Sequence, residues 1–182
     1  MPESIDLKQA ELEVTGLYCY PIKSCGQVVL QQSQINTMGL VHDRQWMLVD
    51  DEGVFLSQRI HPRMGLIAIE IEPDGSLRLK APNMPILSIN KKQTAGQITV
   101  TVWKDTLDAD LATPHINQWF SEFMNMSCRL VRYGNNSNRM VDPDFKSKQI
   151  DGEQNVAFAD GFPILITHQA TLDLLNKQLA AQ

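Results

Sequence analysis

The chain has 182 residues, 43% of them hydrophobic, with 16 Lys and Arg against 21 Asp and Glu. That length can bury a real core and suits one or two domains, while a net charge of −5 argues against broad nucleic-acid binding, which needs a basic face. No window is long and apolar enough to span a membrane, and Met1 to Leu12 is polar and acidic rather than a secretory leader. The expectation is a soluble cytoplasmic protein without nucleic-acid or membrane partners.

Alternation with a period of two dominates the first hundred residues, which is the signature of half-buried strands. It runs through Leu12 to Tyr20, Gln27 to Ser33, Arg44 to Asp50, Leu66 to Glu72, Ser76 to Lys80 and Gln97 to Trp103. Ile67 to Glu72 and Leu77 to Lys80 flank Pro73-Asp74-Gly75-Ser76 and predict a hairpin turning at Asp-Gly; Asp50 to Gly53 predicts a second turn. Strands at this spacing with few helical patterns between them suggest a barrel or a sandwich. After Thr113-Pro114, an N-cap and first helical position, Ile116, Trp119, Phe120 and Phe123 fall at helical intervals and predict a helix whose aromatic stripe is core. Cys128 to Tyr133 returns to strand and closes the first domain. Gly134 to Asn138 is turn-rich and Asp142 to Asn155 charged, which marks a junction. Beyond it, Ile164 to Ile166 predicts a short buried strand, and Ala170, Leu174, Leu175 and Leu179 a helix starting near Thr167 or His168.

Cys19, Cys25 and Cys128 form an odd set without metal-site spacing, which favours reduced, packed thiols. Cys25 differs in following Lys23, and a nearby cation can lower a thiol pKa, yet packing is the favoured reading there too. His42, His61, His115 and His168 also lack ligand spacing, so no metal ligand is assigned. Arg59 and Arg63, on either side of Pro62, read as structural.

Tyr20-Pro21-Ile22-Lys23-Ser24-Cys25-Gly26 sets a cation and a hydroxyl between a rigid Pro and a permissive Gly. Lys supplies a point charge, Ser a rotatable hydroxyl, and Gly lets neighbouring N–H groups turn toward one ligand, so a phosphate suits the segment. Arg44 adds a guanidinium that can take two phosphate oxygens. The competing reading is a solvated pair of Arg44 with Asp43 or Asp50. Asp160-Gly161-Phe162-Pro163 offers a carboxylate that would repel a phosphate unless a cation intervenes; a loop-shaping turn explains it equally well.

Five ordered segments, the Lys23 turn, Asp43-Arg44-Gln45-Trp46, Ser57-Gln58-Arg59 with Pro62-Arg63-Met64, Val102-Trp103-Lys104-Asp105, and Phe158 to Ile166, resemble the N-terminal portion of molybdenum cofactor sulfurase C-terminal (MOSC) domain proteins, including bacterial members and the mitochondrial amidoxime-reducing component. The resemblance implies a mainly β fold: a MOSC N-terminal β-barrel domain with an accessory helix over residues 12–133 behind a flexible stretch at 1–11, a junction at 134–155, and the start of a MOSC domain at 156–182, apparently incomplete. It implies that Lys23, Ser24 and Arg44, with Asp160 and Thr167 as secondary candidates, contribute to binding the molybdenum cofactor (molybdopterin). The family's later Phe-Arg-Pro-Asn motif and molybdenum-binding cysteine do not occur before Gln182, as in a shortened chain or a natural fragment. The implied function is the N-terminal region of an oxidoreductase that reduces N-hydroxylated compounds with electrons from a redox partner. This chain alone is expected to bind no complete molybdenum cofactor and to catalyse nothing, while Lys23, Ser24 and Arg44 would hold phosphate or a pterin weakly. The alternatives are a non-catalytic barrel module for a metabolite or a protein, and a sulfur carrier.

Overall fold

The computed structural model describes residues 13–147, 149 and 152–180. The stretch expected to be flexible at 1–11 lies outside the described residues. β1 (Leu17–Cys19) and β2 (Val28–Leu30) pair antiparallel, as do β3 (Ile35–Asn36) and β4 (Gly39–Leu40). β5 (Trp46–Val49), β11 (Arg129–Arg132), β10 (Asp105–Ala112) and β9 (Thr94–Val102) form a four-stranded antiparallel sheet in that order. β6 (Ala68–Ile71), β7 (Leu77–Lys80) and β8 (Leu87–Ile89) form a three-stranded one. The fold is mainly β, as expected. The hairpin predicted around Asp74-Gly75 is present, with Ile71 opposite Leu77 and Gly75 at φ 79°.

Four consecutive residues of β5 are buried because the larger sheet is covered on both faces. Side chains alternate across a strand, so Trp46 and Leu48 enter a core shared with the smaller sheet, while Met47 and Val49 enter a second cluster with Val100, Val102, Val131 and Phe158. Helix α1 (Pro114–Met124) covers the first core, burying Ile116, Trp119, Phe120, Phe123 and Met124 at the expected intervals. Its start at Thr113-Pro114 agrees with the sequence, and it ends on Asn125 in the left-handed region at φ 54°. Burial of Phe120 and Phe123 alone contributes on the order of 2 kcal/mol each.

Two features depart from expectation. β10 and β8 form where no strand is predicted, and the strand expected at Ile164 to Ile166 does not form. Leu165 and Ile166 are 82% and 89% exposed, and no neighbouring strand offers them a ladder, so the apolar run stays irregular. Helix α2 (Gln169–Leu179) follows near the expected start, with His168 as N-cap accepting from the Ala170 amide at 3.2 Å. Its leucines are exposed.

Candidate functional site

Backbone pairing brings the two leading sequence candidates together. The Trp46 amide donates to Pro21 O at 3.0 Å, the Lys23 amide to Trp46 O at 2.8 Å, and the Arg44 amide to Tyr20 O at 2.8 Å. The two segments run parallel through the Ile22–Trp46 bridge, with Arg44 level with Tyr20 and Lys23-Ser24 following at the far end of the paired stretch. Both Ser24 (φ 66°) and Arg44 (φ 44°) occupy the left-handed region, a cost of order 1–3 kcal/mol for a residue with a side chain that the surrounding contacts must cover.

The turn at Ser24 does not form the expected backbone cradle for an anion. Its amides are spent within the protein: Lys23 on Trp46 O, Cys25 on Ile22 O at 3.1 Å, and Gly26 on Ile67 O at 3.0 Å. Gly26 is needed for a different reason, because a Cβ there would sit 2.5 Å from Ile67 O. With three of the turn's amides so engaged, an anion at this corner would depend mainly on side chains.

Lys23 is 5% exposed and its ammonium donates to Phe158 O at 2.8 Å and to Asp160 Oδ1 at 2.5 Å. It also lies 5.6 Å from the Phe55 ring centroid and 5.7 Å from that of Trp103, within cation–π range. Burial, the largest influence, pushes the Lys23 pKa below the usual lysine range, and Asp160 opposes it. Burial alone would raise the Asp160 pKa, but the Lys23 hydrogen bond and charge win and hold it below the usual carboxylate range. Two oxygens at donor distance favour the ammonium form, so we take the pair as ionised. The Asp160 carboxylate is thus neutralised by a cation, with Lys23 on the buried side of the pair and Asp160 on the exposed side. Trp103 donates its Nε1 to the same Asp160 oxygen at 3.2 Å and carries Arg59 over its ring at 5.5 Å.

Arg44 pairs with Asp43 at 3.0 Å, as the competing reading foresaw, and donates weakly to Pro163 O at 3.4 Å. Its Nε is buried and has no hydrogen-bond partner among the described residues. Buried donors are seldom left unpaired; Arg129 Nε and Asn155 Oδ1 share this condition among the described residues. Ser24 is half-buried, and its hydroxyl has no hydrogen bond to another described residue. Thr167 is not brought into this cluster: it lies in the exposed irregular stretch before α2, and no contact links it to Lys23, Arg44 or Asp160.

A residue outside the sequence candidates organises the corner. Arg139 is 5% exposed, and its guanidinium donates to Asp105 Oδ2 at 2.7 Å, Ala157 O at 2.9 Å, Ala159 O at 2.5 Å and Asp160 O at 2.9 Å. It clamps Ala157 to Asp160 and so aims Asp160 at Lys23. No local signal marks it, since its acceptors are 18 to 34 residues away. The same segment is fixed by the Phe158 amide donating to Arg44 O at 3.1 Å and by Pro163 packing where a Gly39 Cβ would lie, 2.8 Å away.

The three thiols take no part. Cys19 and Cys128 are buried, with burial as the main cause of pKa values pushed up to about 12 and about 11, and burial raises Cys25 as well. The packing reading of Cys25 holds, because Lys23 points into its own ion pair. Arg63 stacks 4.7 Å from the Phe123 centroid and is structural.

Residues 11–127 match the MOSC N-terminal beta barrel domain family. The chain is 30% identical over 177 residues to mitochondrial amidoxime-reducing component 1 of Mus musculus, covering 91% of this chain and 50% of that protein. It is 28% identical over 171 residues to the molybdenum cofactor sulfurase of Homo sapiens, covering 91% of this chain and 19% of that protein. Thus it spans about half the length of the first and about a fifth of the second. With the matched region covering most of the β structure described above, the chain belongs to the MOSC N-terminal beta barrel domain family.

Proposed function

We propose that this chain is the N-terminal region of a molybdenum cofactor-dependent oxidoreductase that reduces N-hydroxylated compounds, and that Ser24, Arg44 and Lys23 hold the phosphate of the molybdopterin. The observation that carries the reading is the buried, unpartnered Nε of Arg44 on a guanidinium close enough to Lys23 to act on its charge. These donors fit a phosphate: a guanidinium nitrogen and a hydroxyl can take two oxygens, and the Lys23 ammonium adds charge from behind its Asp160 partner. The bound cofactor would supply the two-electron oxygen-removing chemistry and take its electrons from a redox partner. The protein's part is narrower. Asp43 fixes one side of the Arg44 guanidinium, Arg139 fixes the loop that carries Asp160, and Trp103 shields the Lys23–Asp160 pair on its solvent side. Similarity to proteins named amidoxime-reducing components supports the reductase reading, and similarity to molybdenum cofactor sulfurases keeps the sulfur-transfer reading beside it.

Residues 156–182 belong, in this proposal, to the start of a MOSC domain. The exposed Leu172, Leu174, Leu175 and Leu179 of α2 support it, since an apolar helix face of this kind is built to be covered.

The test is to purify the chain from cells that make the cofactor, release any pterin and quantify it by fluorescence, with molybdenum measured in parallel. The reading expects retained pterin that falls about fivefold in Arg44→Lys, equivalent to ~1 kcal/mol for the lost two-pronged contact. Molybdenum should be well below one per chain, because all three thiols are buried. No pterin in the unaltered chain, or an Arg44→Lys variant that retains as much, would overturn the assignment.

A further inference from the structure

A second cleft, sharing no lining side chain with the Lys23–Asp160 corner, opens between three turns: Val41 to Gln45, Asp74 to Ser76, and Asn90 to Lys92. It encloses about 560 Å³, within the size range of small-molecule sites. Its floor is rigid, because Trp46, Leu77 and Ile89 belong to the main core. Its rim is cationic in a protein of net charge −5: Lys91, Lys92 and Arg132 face the cleft against one carboxylate, Asp74.

That carboxylate does not neutralise the lysines. Asp74 Oδ1 accepts from both the amide and the hydroxyl of Ser76, at 2.9 Å and 2.6 Å. Lys80 pairs with Glu70 and Lys104 with Asp142, whereas Lys91 and Lys92, like Lys146 and Lys177 outside the cleft, have no ion pair among the described residues. Arg132 reaches Asp110 only at 3.5 Å.

The cleft is also shaped at some cost. His42 sits in the left-handed region at φ 74°, which for a residue with a side chain requires compensation. This backbone lets one turn serve two places: Arg44 goes to the Lys23 corner while His42 lines the cleft. The His42 ring rests against Gly75, where a Cβ would stand 3.2 Å from Cε1. Burial, then Lys91, lowers the His42 pKa, so the imidazole is neutral at pH 7 and offers a hydrogen bond beside the fixed cations.

We propose that this cleft binds a small phosphate ester with an apolar body, the phosphate at Lys91, Lys92 and Arg132 and the body against Val41 and the His42 ring, which keep exposed surface above the buried floor. Inorganic phosphate has the charge without the body, and so should bind more weakly. A neutral analogue has the body without the charge.

The experiment is an amide NMR titration of the full chain with phenyl phosphate, inorganic phosphate and benzyl alcohol at low salt. Phenyl phosphate should give saturable shifts at His42, Gly75, Ser76 and Lys91 with the lowest Kd of the three probes. In the double variant Lys91→Glu/Lys92→Glu, whose altered side chains are exposed and leave the core intact, that affinity should fall about tenfold or more, while any phosphate shifts at Ser24 and Arg44 persist. Non-saturating shifts, equal affinity for inorganic phosphate, or unchanged binding in the double variant would overturn the proposal.

Discussion

Arg139 offers the sharpest test of how the corner is held together. Arg139→Leu keeps much of the apolar volume of the side chain and removes four donated hydrogen bonds at once. The Ala157 and Ala159 carbonyls then lose a buried partner, and Asp105 loses its counter-charge. Breaking a buried charge pair by removing one partner costs about 3–5 kcal/mol. Asp105, whose side chain is 33% exposed, can recover part of its hydration, which places the expectation at the low end, ~3 kcal/mol, or more than a hundredfold in the folding equilibrium. Urea unfolding should show a lower midpoint with an unchanged slope. Hydrogen exchange should quicken first at the Val156 and Phe158 amides, which bond to Arg139 O and Arg44 O. Arg139→Lys, which keeps the charge and loses the fork, should fall between the two. A loss below about 1 kcal/mol in Arg139→Leu, within the range of ordinary surface substitutions and single hydrogen bonds, would refute the clamp.

Asp160→Asn should raise the affinity of the Lys23 corner for inorganic phosphate, because it removes a carboxylate that competes for the same ammonium; weaker binding in a titration followed by amide NMR at Ser24 and Arg44 would contradict this. The same substitution has a pH signature. Asp160 has a folded pKa below its ordinary 3.8, so its contribution to stability is present above 3.8 and is lost as pH falls through the lower folded value. The stability gap between the unaltered chain and Asp160→Asn should therefore close on acidification, and a gap that widens would show the pair is not ionised. Gly26→Ala should cost about 1–3 kcal/mol by overpacking against Ile67 O, 2.5 Å from the added Cβ, measured by thermal or urea unfolding; a neutral effect would show that β6 yields easily there.

Strands and the first helix were legible wherever a buried face left a clean period. Leu77 and Leu79 alternate with exposed or half-buried Arg78 and Lys80, and the α1 stripe repeats at helical spacing. β10 was hidden because Asp105, Asp108 and Asp110 scatter charge along both of its faces; only Leu107, Ala109 and Ala112 are buried, and a register shift between Asp110 and Ala112 breaks their period. The opposite error at Ile164 to Ile166 has the same root. An apolar run states that burial is favourable, while a strand also needs a neighbouring ladder, and that neighbour is a property of the whole fold.

The corner itself divides along a similar line. Lys23, Ser24 and Arg44 could be named from short motifs because each carries its chemistry locally, and the pairing of Tyr20 to Lys23 with Arg44 to Trp46 then brings them together. What the motifs could not convey was who already holds each donor. The Ser24 turn reads as an anion cradle until the amides of Lys23, Cys25 and Gly26 are followed to Trp46, Ile22 and Ile67, and Lys23 reads as a free cation until Asp160, 137 residues away and aimed by Arg139, takes its charge. Long-range partners redistribute the donors that the sequence supplies. Among the described residues they leave the Nε of Arg44 buried and unspent, as they do that of Arg129; what sets the Arg44 nitrogen apart is its charge close to the Lys23–Asp160 pair, and that is the vacancy the proposed phosphate would fill.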